Sequence, residues 1–357
     1  VSGVSAAELA VTGVGVVSPW GDSAEAAVVA GGSAMPGAGE WFSHRERLGR
    51  RGYKYLPAAA QYALAAARGA VADGGRPDAV PAERRGLLLA TGTGLAALFE
   101  AMDATVTEEG AAALSPATAP YFAVNVLGNR LAAEFGLKGF SLTVATAGTA
   151  AVDALSAGAL ALAAGRCDSL VLAATEEPLP PGRGGGGQQG SVVFTLEPPA
   201  AARSRGARVH GTVRARSLFL PPGALRDFEG RSRAAGLLAG ALTDLLGERT
   251  RDDSVDVHLD LDGSTVSEAV ALAVAGATTG AGRTALGSHP TAPAGAPGTG
   301  LPAGAAGAGC LGGALAVAHA VTAPHGPERL VVCASGAGHV ALVRVVPSPS
   351  STGAVAC

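Results

Sequence analysis

Short aliphatic runs of strand length alternate along this chain with longer Ala/Leu-rich stretches of helical length, and no other feature of the sequence constrains the fold as strongly. Leu170-Val171-Leu172-Ala173-Ala174 is apolar at every position, where a strand with one wet face would alternate. Such strands are expected to be covered on both sides. The pattern predicts strands over Ala10–Val17, Gly86–Ala90, Phe140–Thr146, Ser169–Ala174 and Ser191–Leu196, then Val209–Ala215, Ser254–Leu261, Leu330–Ala334 and Val340–Val346. Helices are predicted over Pro57–Val71, Val124–Glu134, Ala150–Ala164, Ser232–Leu246, Ser267–Ala277 and Ala303–Val321, most of them between two strands. An α/β layered fold follows.

At 357 residues the chain has material for two domains or one pseudo-duplicated one. The natural division is the Pro198-Pro199 and Arg-rich stretch to Arg208, giving halves over 1–200 and 201–347 and a disordered tail over 348–357. Four consecutive glycines make Arg183–Gly190 a loop, and the prolines of Ala285–Gly300 mark a second irregular segment. A net charge of −3 leaves no basic footprint for nucleic acid or an anionic membrane surface. No basic leader precedes an apolar run, and each long Ala/Leu/Val stretch is broken before it could span a bilayer, so a soluble, cytoplasmic protein is expected. Cys167, Cys310, Cys333 and Cys357 show no CxxC spacing and the histidines no HxH or HxxxH pair, so neither a disulfide framework nor a metal site is expected. His258, Asp260 and Asp262 alternate as the solvent-facing side of a strand end would. Arg203, Arg205, Arg208, Arg214 and Arg216 offer either a basic patch or the wet face of a strand.

Chemistry is expected where the strand Phe140–Thr146 runs into Ala147-Gly148-Thr149-Ala150 and a following apolar helix. A strand, sharp turn and helix exposes one side chain, and the helix N-terminus stabilises negative charge developing there. The turn residue is Gly148, which has no side chain to react.

Four landmarks in order resemble the ketosynthase members of the thiolase superfamily: Val11-Thr12-Gly13-Val14-Gly15-Val16-Val17-Ser18-Pro19, Ala90-Thr91-Gly92-Thr93-Gly94, Thr146-Ala147-Gly148-Thr149 and Gly304-Ala305-Ala306-Gly307-Ala308. The resemblance spans nearly the whole chain and implies a thiolase-like fold, two pseudo-duplicated halves in a five-layered αβαβα architecture. It also implies where an active member would carry its nucleophilic Cys, two His and a Lys. Matched position by position, those places hold Gly148, Asp262, Leu301 and Ala296. Condensation needs a thiolate to hold the acyl chain and polar donors for the enolate. Loss of one member of such a unit costs on the order of a million-fold in turnover. No catalytic residue for condensation is therefore expected.

Within that family the chain resembles the branch that has lost these groups, the chain length factor, or ketosynthase-beta, of type II polyketide synthases. Val152-Asp153-Ala154-Leu155, Leu259-Asp260-Leu261-Asp262-Gly263 with Ser267-Glu268-Ala269, and Pro290-Thr291-Ala292-Pro293 carry that resemblance. Many members hold Gln at the elbow, associated with malonyl decarboxylation, where this chain has Gly148. The resemblance implies a heterodimer with an active ketosynthase-alpha through the strand bearing Phe140, Leu142, Val144 and Thr146, and a tunnel lined by Thr118, Pro120, Tyr121 and Phe122, with the bulky Tyr121 and Phe122 as candidates for its floor. It implies no cofactor of the chain's own, the acyl groups reaching the partner subunit on the phosphopantetheine of an acyl carrier protein. An alternative is a thiolase-fold acyltransferase or malonyl decarboxylase with a relocated site at Cys310 or His339. A nucleotide-binding domain led by Gly13-Val14-Gly15 fails for want of the third Gly and the acidic residue.

Overall fold

The computed structural model describes residues 7–29, 41–74, 80–178, 188–247, 255–277, 285–286, 309–323 and 326–348. Ala296, Leu301, the Gly304–Ala308 landmark, Arg183–Gly187 and the tail from 349 onward lie outside the described residues.

The first half contains β1 (Leu9–Val17), α1 (Ala24–Val29), α2 (His44–Arg47), α3 (Ala58–Gly74), β2 (Arg85–Ala90), α4 (Ala96–Glu109), α5 (Val126–Phe135), β3 (Ser141–Val144), α6 (Ala150–Ala163), β4 (Ser169–Glu176) and β5 (Gly190–Glu197). After α7 (Pro199–Ser204) the second contains β6 (Gly211–Phe219), α8 (Phe228–Leu246), β7 (Val255–Leu261), α9 (Thr265–Ala277), β8 (Ala285–Leu286), α10 (Leu311–Thr322), β9 (Glu328–Ala334) and β10 (His339–Pro347). The strands run in the order β3-β2-β4-β5-β1-β6-β10-β9-β7-β8. In the first half β2 is parallel to β3 and β4, and β5 is antiparallel to β4 and β1. The second half repeats this, with β7 parallel to β8 and β9, and β10 antiparallel to β9 and β6. A seam of three residue pairs, Leu9 with Val213, Ala10 with Thr212 and Val11 with Gly211, joins the halves.

Side-chain alternation along the strands generates the layers. Leu88, Ala90, Leu170, Leu172, Ala174, Val192 and Phe194 face a central core that also receives Val331, Cys333, Ala341, Val343 and Val345 from the second half, with α6 and α10 between. The intervening residues Leu87, Leu89, Val171, Ala173 and Val193 face α3 and α5, while Leu330, Val332, Val340 and Leu342 face α8 and α9. Three cores separate five layers: helices, sheet, the α6/α10 pair, sheet, helices. Strands covered on both faces are the physical reason for the unbroken apolar runs.

Gly13 and Gly15 belong to this packing. A Cβ on Gly13 would lie 2.2 Å from the carbonyl oxygen of Ala70 and one on Gly15 1.9 Å from that of Ala66, so both glycines let α3 lie against β1. All nine predicted strands form, with ends shifted; β3 is the shortest of these at Ser141–Val144. A tenth, β8, lies at the start of the segment expected to be irregular. The predicted helix over 303–321 begins among the described residues at Leu311, with Cys310 as its N-cap.

Candidate functional site

β3 delivers the chain to the elbow, and Thr149 is the N-cap residue of α6. The turn closes with the Ala150 amide donating to the Thr146 carbonyl at 2.9 Å. Gly148 has φ +74°, the left-handed region that glycine alone enters at little cost. There is nonetheless space at the position: the nearest atom to a Cβ built on Gly148 is the Cβ of Ser335, at 4.0 Å. The elbow is held from below by Asp153, whose Oδ2 accepts from the hydroxyls of Thr146 and Thr149, both at 2.7 Å. Its Oδ1 accepts from Ser217 of β6 at 2.6 Å, so a carboxylate one turn into α6 fixes the elbow to the second half.

Asp262 sits just beyond β7. Its Oδ2 accepts from the Gly336 amide at 2.6 Å, and its Oδ1 from the Ser267 hydroxyl at 2.7 Å and the Ser264 amide at 3.1 Å. Burial works to raise its carboxyl, but the hydrogen bonds from Ser264, Gly336 and Ser267 outweigh it and hold the group below the usual carboxylate range. Gly336 adjoins Ser335, so Gly148 and Asp262 meet through one loop, and the carboxylate fastens that loop to β7. Among the described residues at this junction, Ser335 is buried with its Oγ unpartnered, and His339 stacks edge-on against Phe219 at 5.4 Å.

The pseudo-equivalent end of α10 is filled. Glu176, fully buried at the end of β4, accepts from the amides of Gly92 at 2.5 Å, Thr93 at 2.9 Å and Cys310 at 2.8 Å, and from the hydroxyls of Thr91 at 3.2 Å and Thr93. Gln188 accepts from the Leu311 amide at 2.6 Å. Asp260 enters from β7: a Cβ on Gly312 would lie 2.3 Å from its Oδ2, which is buried without a hydrogen-bond partner. The carboxylate is not on a solvent-facing edge, as the His258-Asp260-Asp262 alternation suggested. Burial, aided by the charge of Asp262 and opposed by a bond from the Gly313 amide, pushes Asp260 up to about 6, and burial with the neighbouring His319 and Arg329 pushes His258 down to about 4. The reason is that Gly312 and Gly313 clear room for a side chain beneath α10.

Glu177 turns the other way, toward the starts of α3 and α4. Burial, with the charge of Glu176 and against bonds from the Ala59 and Ala97 amides, pushes it up to about 7. Sequence reading passed over Glu176 and Glu177; two adjacent acids ending an apolar strand were the available signal. Burial first, then the charge of Glu176 and a hydrogen bond to it, hold the Cys310 thiol well above its ordinary range, the opposite of what a nucleophile needs.

The remaining predicted residues are scattered in role. β3 ends the sheet, and Leu142 is 38% exposed on it, whereas Phe140 and Val144 pack against the central core and Thr146 is engaged with Asp153. The residues Ala119–Phe122 form a 3-10 turn; within it Tyr121 packs half-buried against the outer core, as Leu98 and Val124 also do. Pro120 is exposed, Thr118 is the N-cap residue of the turn with its hydroxyl donating back to the Ser115 carbonyl at 2.8 Å, and the Phe122 side chain lies outside what is described. Arg205 and Arg216 are held in part-buried ion pairs with Glu197 and Asp244 at 2.6 and 2.5 Å, whereas Arg208 is exposed, 3.6 Å from Asp73. Among the described residues no group of three or more His, Cys, Asp or Glu could hold a metal ion, and no helix is long and apolar enough to cross a membrane.

The N-terminal domain family of beta-ketoacyl synthases matches residues 30–218, more than half of the chain. Among solved structures, a type II polyketide synthase acyl-carrier protein complexed with its ketosynthase bound to the hexaketide is similar at 17% identity and a TM-score of 0.71, covering 96% of this chain and 100% of that one. The ishigamide ketosynthase/chain length factor is similar at 18% identity and a TM-score of 0.68, covering 95% of this chain and 99% of that one. A beta-ketoacyl synthase from Burkholderia phymatum STM815 gives 16% identity, a TM-score of 0.65, and coverage of 96% and 100%. The duplicated five-layered arrangement is thus the thiolase-like fold.

Proposed function

This chain belongs to the beta-ketoacyl synthase family, and we propose that within it the protein acts without condensing chemistry, as a chain length factor. It pairs with an active ketosynthase and shapes the tunnel into which the partner's acyl chain grows. The observation that carries the reading is the elbow: a strand, turn and helix kept in place by Asp153, presenting Gly148 where a nucleophile would stand. Asp262 supports it, since a carboxylate committed to the Gly336 amide would repel an enolate and leaves that donor occupied. The edge strand β3, with Leu142 exposed, suits a partner that continues the sheet. A ketosynthase paired with a chain length factor is among the similar folds. On this reading the chain needs no cofactor; acyl groups arrive at the partner on the phosphopantetheine of an acyl carrier protein.

The alternative of an acyltransferase or decarboxylase centred on Cys310 requires a thiolate, and that thiol is buried against a carboxylate. Co-expression with an active type II polyketide ketosynthase tests the proposal. The two subunits should co-purify, Leu142→Arg should abolish the pairing, and Tyr121→Ala should lengthen the product. Failure to co-purify, or a stable acyl adduct on this chain alone after incubation with acyl donors, would overturn it.

A further inference from the structure

Tyr121 shares its outer core with residues that a short chain of contacts links to Glu176. The Glu176 carboxylate accepts four hydrogen bonds from the turn Thr91-Gly92-Thr93 and is also bound by the Cys310 amide and thiol at the head of α10. That turn is tight: the Gly94 amide donates to the Thr91 hydroxyl at 2.8 Å, Gly94 has φ +59°, and the Ala96 amide at the start of α4 donates to the Thr93 carbonyl at 3.2 Å. On its far side the turn abuts the floor segment, since a Cβ on Gly94 would lie 3.3 Å from Val124 Cγ2. Val124, Tyr121 and Leu98 of α4 pack against the same outer core.

We infer that Glu176 is the positioning residue of the tunnel floor, an inference that rests on the chain-length reading above. It fixes the turn, the turn fixes Val124 and the start of α4, and these two fix the depth at which Tyr121 stands. Because it also binds Cys310 at the head of α10, Glu176 sets the floor's height against the second half of the molecule. A buried acceptor without a substitute leaves its donors stranded when removed, so the turn would relax toward other partners.

The test uses the complex of this chain with its ketosynthase, supplied with malonyl groups on the acyl carrier protein, and reads product lengths by mass spectrometry. Glu176→Ala should change the ratio of the next longer product to the main one by about fivefold, and Glu176→Gln, which keeps the shape and one acceptor, by clearly less. Thr93→Val removes one hydroxyl donor without touching the carboxylate, and should shift the ratio in the same direction; it carries the test if Glu176→Ala does not fold. Unfolding midpoints measured alongside separate a moved floor from a weakened fold, since a purely structural role lowers the midpoint and leaves the product ratio unchanged. If Tyr121→Ala alters product length while the folded Glu176 and Thr93 variants give the parent's ratio, the assignment of Glu176 is overturned alone. If Tyr121→Ala also leaves product length unchanged, the chain-length reading fails with it.

Discussion

The two central helices begin in opposite ways. α6 starts at a turn with an unfilled position, where the nearest neighbour of a side chain on Gly148 would be 4.0 Å away. α10, its counterpart in the repeated strand order, starts in a crowd: Glu176, Gln188 and Asp260 converge on its first amides, and Gly312 has a carboxylate oxygen 2.3 Å from where its Cβ would go. A helix N-terminus attracts negative charge. At α10 the protein supplies that charge from its own strands, whereas at α6 the turn itself is left open. A fold duplicated in backbone can thus dedicate one helix end to stability and leave the other to whatever the site requires.

The sharpest way to break the comparison is to add a methyl group at each end. Gly312→Ala should destabilise by about 3 kcal/mol, because overpacking against Asp260 outweighs the gain of about 1 kcal/mol from the better helix former. Urea unfolding measures it, and a neutral result would mean that Asp260 is free to move. Removing the brace of the other helix comes next. Asp153→Ala leaves the Thr146, Thr149 and Ser217 hydroxyls without their acceptor and should cost about 2–3 kcal/mol in the same assay.

Titration separates the ends by sign. An acid raised in the folded state binds its proton more tightly there than in the unfolded chain, so its contribution is intact at low pH and is lost as pH rises. For Asp260 the window runs from its ordinary value of 3.8 to about 6, and for Glu177 from 4.5 to about 7. Asp262 is held low and contributes the opposite slope: its stabilisation is present above the usual carboxylate range and lost on acidification. Asp260→Asn should therefore gain about 2 kcal/mol at pH 8 and flatten the decline between pH 4 and 6, checked by unfolding across that range. The smallest effect is expected at the open end. Gly148→Ala should cost about 1 kcal/mol, from the left-handed backbone alone.

The sequence was transparent where a single local pattern decides the outcome. Runs such as Leu170–Ala174 are apolar because both faces of their strands are covered, so a period count finds them. β8 was invisible: its two residues sit at the head of a stretch whose prolines and glycines read as loop, and its place is set by β7 beside it. The absence of a nucleophile at Gly148 was legible because the motif around it is contiguous. The burial of Asp260 was not, because the residues that make room for it, Gly312 and Gly313, lie on a helix far along the chain. Likewise Glu176 looks like the polar end of a strand until the Thr91–Thr93 turn and the head of α10 close over it.

The three-pair seam between β1 and β6 has a thermal consequence. Backbone ladders bind the strands within each half, but the halves hold each other chiefly through the apolar layer of α6 and α10, with a few side-chain bonds such as Ser217 to Asp153. Apolar contacts weaken on cooling while hydrogen-bonded ladders do not fade in the same way. Chilling should therefore loosen the two halves from each other before it frays either set of strands.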